Sequence, residues 1–304
     1  VVQGAGWVHL DQDVRLHHKA EATTTGALGA VALWGRERAA RQPGVPLTPA
    51  FAGGLWRATV EGGMSVSAPA SAVIRMGRER ARTGPWRGEE DIALITPVPD
   101  APFLSADFIR HCLRTLSDQG FRRVVTGALS PLEQAGFLAA GFDVAEHLRL
   151  LAIDLSGPLP PIPPGPALHR VPRWRRSEIL SIDRAAFMEF WQFDSTGLMD
   201  ALRATPSVRF RMVLSPAGDA GAYAICGRSG RRGFVQRLAV RPDLQRTGTG
   251  ARLLLDGLHW MRRHGVNRAV VNTQVGNDAA LSLYLKTGFK EEPTGLSVLS
   301  TGLP

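Results

Sequence analysis

The sequence predicts an α/β (α+β) fold, a mixed, twisted sheet with helices on both faces. Three observations carry that expectation. From Ala167 onward, short apolar runs of strand type alternate with runs of helical period. Near Gln245 a strand runs into a glycine-rich turn that opens a helix directly. The order glycine, arginine, apolar strand, short helix, Gly-Phe occurs twice, once from Gly120 and again from Gly265.

The chain has 304 residues, enough for two domains of ordinary size. Its start lacks the basic-then-apolar order of a secretory signal, and it holds no apolar run of membrane-spanning length. Cys112 and Cys226 are its two cysteines, with no histidine at zinc spacing, so a reduced, cytoplasmic protein without a metal site is expected. The net charge of +9 and pI near 10.8 raise an acidic partner. Yet 36 residues are basic and Lys19, Lys286 and Lys290 are the only lysines, a skew that fits a GC-rich genome. The basic runs Arg78 to Arg82 and Arg173 to Arg176 are short and mixed, so nucleic acid is not the expected partner.

Residues 1–65 are rich in Gly, Ala, Thr and Pro, with Leu28 to Trp34 their one coherent apolar run, and read as an extension. A first domain is expected over residues 70–155. Its strand Asp91 to Thr96 is followed by a helix from Ser105 to Gln119, capped by Ser105, with Phe108, Ile109, Cys112, Leu113 and Leu116 on one face and Gly120 as its stop. A strand at Arg123 to Ala128, a helix at Pro131 to Ala140 and a strand at Leu148 to Leu155 complete it. Residues 156–166 hold six prolines, which excludes helix and central strand and leaves an extended linker.

The second domain spans residues 167–304. Its expected order is strand Ala167 to Val171, helix Arg175 to Phe187, helix Thr196 to Ala204, strand Val208 to Leu214, a turn at Pro216 to Asp219, and strand Ala222 to Gly227. The strand reaching Val240 follows, stopped by Pro242. Then come helix Thr249 to His264, strand Arg268 to Thr273, helix Asp278 to Thr287 and a closing hairpin over Phe289 to Thr301.

The glycine-rich turn carries chemistry. In Gln245, Arg246, Thr247, Gly248, Thr249 and Gly250 the glycines allow close backbone approach, and the amides at the helix start suit a pyrophosphate. Arg246 adds a mobile charge. A nucleotide P-loop is excluded because no Gly-Lys-Ser/Thr follows, and a Rossmann loop because a third glycine and a ribose-binding acid are missing.

With Leu238, Ala239, Val240 and Pro242 before it, this turn resembles the phosphate-binding segment of the GNAT superfamily of acyl-CoA-dependent N-acyltransferases. Downstream, Asn277, Ala280, Leu283, Tyr284, Gly288 and Phe289 resemble that family's N-x-x-A-x-x-L-Y-x-x-x-G-F helix. The resemblance covers residues 167–301. It implies a GNAT fold, acetyl-CoA as co-substrate, and a primary amine as acceptor, either a protein or peptide N-terminus or a small molecule. It also implies that the strand carrying Leu238, Ala239 and Val240 bulges from its neighbour to meet the pantetheine. Tyr284 would protonate the departing thiolate, Asn277 would touch the pantetheine arm, and Lys286 would reach a phosphate.

The base stays unassigned. Gln236 and Asn272 stand where relatives carry Glu, and neither accepts a proton usefully; Glu189, Asp194 and Asp200 are candidates by region. The segment from Ile182 to Trp191 is similar to peptide N-terminal acetyltransferases, whereas the tandem layout is similar to mycothiol synthases, which acetylate an aminosugar conjugate. Trp191 and Phe193 could line either acceptor. A non-catalytic acyl-CoA sensor is the competing reading. The first half is expected to be a degenerate copy: Asp100 to Ser105 replace the phosphate turn and Phe137 replaces Tyr284, so one active site is expected per chain.

Overall fold

The computed structural model describes residues 72–98 and 101–304, so the extension expected over residues 1–65 lies outside the described residues. All twelve strands belong to one sheet: β1 (Ala72–Met76), β2 (Glu79–Pro85), β3 (Ile92–Pro97), β4 (Arg123–Thr126), β5 (Asp143–Asp154), β6 (Leu168–Arg170), β7 (Ser207–Leu214), β8 (Ala220–Ser229), β9 (Arg232–Val240), β10 (Arg268–Gln274), β11 (Lys290–Glu291) and β12 (Leu296–Gly302). Among the described residues six helices cover it: α1 (Ala106–Asp118), α2 (Pro131–Ala139), α3 (Arg176–Ala186), α4 (Ser195–Arg203), α5 (Thr249–Arg263) and α6 (Asp278–Thr287). Strand order is β1-β2-β3-β4-β12-β5-β10-β9-β8-β7-β6, with β11 also on β5.

Both halves contain a strand, helix, strand unit with parallel pairing, β3-α1-β4 in the first and β9-α5-β10 in the second. The repeat extends to side chains. Phe137 meets Phe142 edge-on at 5.2 Å, and Tyr284 meets Phe289 at 5.6 Å, in the same places of the two copies. Gly120, Gly141, Gly265 and Gly288 all take positive φ at the helix ends, the left-handed stop that glycine accepts at little cost.

The closing hairpin expected over Phe289 to Thr301 does not form. β11 and β12 both pair with β5, antiparallel, and not with each other. β5 is twelve residues long and begins at Asp143, well before the expected start at Leu148, because its first five residues are mostly exposed and give no apolar signal. That length allows residues 143–148 to pair with β12 and residues 148–154 to pair with β10. The two halves have therefore exchanged their last long strands: β12 lies between β4 and β5, and β5 lies between β12 and β10. The hairpin β1-β2 was likewise not expected, since Arg75, Arg80 and Arg82 on its open face disguise the alternation that buries Ala81 and Thr83.

The sheet has two apolar faces. One is continuous across both halves and joins Trp86, Val125, Leu148 and Leu150 to Ile179, Ile182, Leu198 and Phe210 beneath α3 and α4. The other carries two clusters: Phe108, Ile109, Leu116 and Phe137 under α1 and α2, and Leu151, Ile153, Leu253, Leu258 and Tyr284 under α5 and α6. α5 lies close to the sheet; a Cβ on Gly257 would stand 2.4 Å from Cys226 Sγ. A bidentate pair ties α5 to β7, with Arg209 donating to Asp256 at 2.6 and 2.7 Å. The proline-rich segment rests on the same helix: Arg252 Nε donates to Pro166 O at 2.8 Å, and His259 Nε2 lies 2.8 Å from Pro160 O.

Leu151 on β5 is fully buried in the cluster of the second half although its strand comes from the first. Leu151→Ala is expected to cost about 2–5 kcal/mol. In urea, tryptophan fluorescence and far-UV circular dichroism should still move together in one transition.

Candidate active site

The site begins where two parallel strands part. β9 and β10 pair at three positions, Arg232 with Arg268, Gly233 with Ala269 and Phe234 with Val270, after which the ladder ends while both strands run on. On its other side β9 stays paired with β8, with a bulge that places Gln236 between the pairs Ile225–Arg237 and Cys226–Val235. A bulge adds twist. The result is a gap flanked by Leu238, Ala239 and Val240 on β9 and by Asn272 and Thr273 on β10.

Beyond Val240 the chain makes a 3-10 turn at Pro242–Leu244 and enters the glycine-rich segment. Gln245 Nε2 donates back to Val240 O at 3.2 Å, and Thr247 Oγ1 donates to Leu244 O at 2.7 Å while touching Thr249 Oγ1 at 2.8 Å. Gly248 is the N-cap of α5 at φ +84, a conformation that side chains disfavour, and nothing stands near where its Cβ would be. Arg246 is exposed and also takes positive φ, +62. Gly250 faces Val240 and Leu283 at ordinary contact distance. Among the described residues, the main-chain amides of Arg246 to Ala251 find no acceptor, so the positive end of α5 is open.

The first half closes the matching place from within. Ser105 N-caps α1, and the Glu79 carboxylate accepts from both its amide and its hydroxyl, the latter at 2.9 Å. An internal carboxylate there occupies the ground that an external anion would need.

Tyr284, on α6, is fully buried, and its hydroxyl has no hydrogen-bond partner among the described residues. Burial, with a smaller contribution from Cys226, drives its phenol well above the usual range, so it stays protonated. Burial also pushes the Cys226 thiol up to about 12. Asn277 N-caps α6, accepting from Ala280 N at 3.3 Å, while its Nδ2 is buried without a partner. Lys286 is exposed in the last turn of α6. Of eight buried side-chain polar atoms without a partner among the described residues, five are on Gln236, Asn272, Thr273, Asn277 and Tyr284. All five belong to β9, to β10 or to α6 and its cap.

On the opposite face the structure reassigns Trp191 and Phe193. Both are core side chains, each 4% exposed, packed around two guanidinium groups rather than lining an open acceptor cleft. Arg237 and Asp183, both fully buried, form a bidentate pair at 2.7 and 2.8 Å. Arg237 also donates to Trp191 O at 2.7 Å and lies over the rings of Phe187 and Phe193. Asp183 further accepts from the Tyr223 hydroxyl and, at 2.6 Å, from Phe193 N. Arg87, from the loop after β2, packs over Trp86, Trp191 and Phe193 and donates to Gln192 O at 3.1 Å. Burial and then Arg237 depress its guanidinium to about 9.

Of the three carboxylates expected near the acceptor by region, Asp194 is occupied as N-cap of α4, accepting from Gly197 N at 2.6 Å. Glu189 is exposed on a 3-10 turn, and Asp200 lies at the surface of α4 with its carboxyl raised mainly by partial desolvation. Sequence reasoning passed over Asp183, Arg237 and Tyr223; for the first two, a lone charge within an apolar run was the available signal.

A gap in a parallel pair thus stands beside an open helix start and a buried phenol. Residues 178–289 match the family described as Acetyltransferase (GNAT) family. It is 30% identical over 200 residues to a mycothiol acetyltransferase of Thermobispora bispora, covering 58% of this chain and 65% of that protein. To the mycothiol acetyltransferase of Rhodococcus jostii it is 31% identical over 114 residues, 36% of this chain and 34% of that one. The chain thus spans less than two thirds of the length of these relatives. Among solved structures, a tandem GNAT protein from the clavulanic acid biosynthesis pathway superposes with a TM-score of 0.58 at 13% identity, covering 78% of this chain and 85% of that one. A GCN5-related N-acetyltransferase from Sphaerobacter thermophilus gives 0.52 at 13% identity, over 73% and 76% of the two chains. These two likenesses concern the fold. Among the described residues no helix is long and apolar enough to cross a membrane.

Asp183→Ala would remove the carboxylate that balances the buried charge of Arg237. The expected loss is about 3–5 kcal/mol, read from guanidinium unfolding of parent and variant.

Proposed function

We propose that this chain is an acetyl-CoA-dependent N-acetyltransferase that moves an acetyl group to a primary amine by direct attack on the thioester. The observation that carries the reading is the gathering of partnerless polar atoms on the α5 and α6 face of the gap. Buried polar groups without hydrogen bonds cost about 1–3 kcal/mol each, so those of Thr273, Asn277 and Tyr284, on the same face as the open amides of α5, mark ground built for a polar ligand.

The residues fit coenzyme A. The amides of Arg246 to Ala251 and the Arg246 guanidinium suit the pyrophosphate, and Gly248 keeps the approach free of a side chain. The strand edge of Leu238, Ala239 and Val240, facing the gap, suits the amide-bearing pantetheine, with Asn277 Nδ2 as a further donor. When bound, the thioester supplies an activated acetyl group. Tyr284, protonated and without a partner, is suited to give its proton to sulfur as the C–S bond breaks.

A small amine is the acceptor best supported. The loop carrying Trp86 and Arg87 folds from the first half onto Phe190 to Phe193, with Trp86 Nε1 donating to Phe190 O at 3.3 Å, and this narrows the α3 and α4 side. Similarity to mycothiol acetyltransferases points the same way, toward an aminosugar conjugate.

Calorimetry with acetyl-CoA is expected to give one site per chain, since Glu79 fills the matching helix start; two sites, or none, would contradict the reading. Thiol release should then be screened against glucosamine, spermidine and an N-terminal alanine peptide. Tyr284→Phe removes a hydroxyl that has no partner among the described residues, so the fold should not weaken. Its kcat is expected to fall about 100-fold or more with acetyl-CoA affinity unchanged; undiminished turnover would remove Tyr284 from the chemistry.

A further inference from the structure

An alkyl ammonium cannot attack a carbonyl until it loses a proton, and primary amines are mostly protonated at neutral pH. On the α3 and α4 face, the polar residues of β9 and β10 near the gap do not meet that need. Gln236, Asn272 and Gln274 are amides, and Arg237 is a cation held by Asp183. Both Asp183 oxygens are occupied by Arg237, Tyr223 and Phe193 N.

The exchanged strand brings a carboxylate to that face from the first half. On β5, Leu150 stands opposite Asn272 and Leu148 opposite Gln274, and both leucines bury into the cluster under α3 and α4. Side chains alternate along a strand, so Glu146, two residues before Leu148, projects to the same face. Contact with β10 is direct, Gln274 Nε2 donating to Glu146 Oε2 at 2.9 Å. Glu146 is half-buried, and Val298 is its neighbour on β12. Among the described residues, that amide is its one side-chain hydrogen-bond partner and no basic side chain pairs with it, so Oε1 is free to accept. His147, the nearest titratable group along the strand, points to the other face toward Ser297.

We infer that Glu146 is the general base for the acceptor amine, which makes the active site a composite of the two halves. The assignment rests on the acyltransfer reading above. Glu146 takes a proton from the ammonium: an N–H bond breaks, a carboxyl O–H bond forms, and the nitrogen lone pair is released. That pair forms the C–N bond to the thioester carbonyl carbon as the C–S bond breaks. Tyr284 protonates the departing sulfur, the second amine proton restores the phenol, and Glu146 returns its own proton to solvent.

The test compares Glu146→Gln, which keeps size and can still meet Gln274, with Glu146→Asp, which keeps the acid. Acetyl-CoA affinity and melting temperature are measured alongside the pH profile of thiol release, using the best amine of the panel above. For Glu146→Gln, kcat/KM is expected to fall about 100-fold at neutral pH. The defect should shrink as pH passes the pKa of the amine itself, which then needs no base. Glu146→Asp should recover part of the loss, and acetyl-CoA affinity should stay within about twofold in both variants. A Glu146→Gln rate within about threefold of the parent across the profile, a defect of equal size at every pH, or weakened acetyl-CoA binding would each overturn the assignment. A parent chain that binds no acetyl-CoA defeats the acyltransfer reading itself, and this assignment with it.

Discussion

The pairing of Arg237 with Asp183 is the constraint around which the second half is arranged. Two charges removed from water cost several kcal/mol each, offset when the geometry is good and the remaining donors and acceptors are met. Here Asp183 accepts from Arg237, the Tyr223 hydroxyl and Phe193 N, and Arg237 reaches Trp191 O as well. Those contacts tie α3, the turn after it, β8 and β9 together. They also account for the bulge at Gln236. Val235 and Leu238 face α5, and the extra residue lets Arg237 turn to α3 instead. The same irregularity adds twist to β9 just past the point where it leaves β10.

A break in a parallel pair connects the two sides of the sheet. The open start of α5 and the Tyr284 phenol lie on one side; Asn272, Gln274 and Glu146 lie on the other. Donor and acceptor can thus approach from opposite faces without competing for the same surface. The amide-rich strand edge between them is available because no neighbour pairs with it there.

What the sequence disclosed was local and contiguous. The turn from Gln245 to Gly250 and the helix from Asn277 to Phe289 are continuous stretches whose chemistry is written residue by residue, and Ser105 announced α1 as its cap. The match of Phe137 and Phe142 to Tyr284 and Phe289 could be read from spacing. The pairing of β5 with β10 and β12 could not, because register between segments more than a hundred residues apart leaves no local trace. Charges misled for a related reason: Asp183 and Arg237 look like solvated residues until packing brings them together, and the arginines of β1 and β2 hide a strand pattern. Trp191 and Phe193 looked like cleft aromatics because composition does not reveal that Arg87 and Arg237 pack against them.

The exchange of β5 and β12 bears on why a half without a phosphate turn persists. Its helix start is sealed by Glu79, yet the strand it lends supplies the outer neighbour of β10, and the strand it borrows completes its own sheet. Deleting either half would bare two hydrogen-bonding edges at once, an invitation to aggregation. Each half therefore holds the other's sheet together, whatever its own helix start can bind.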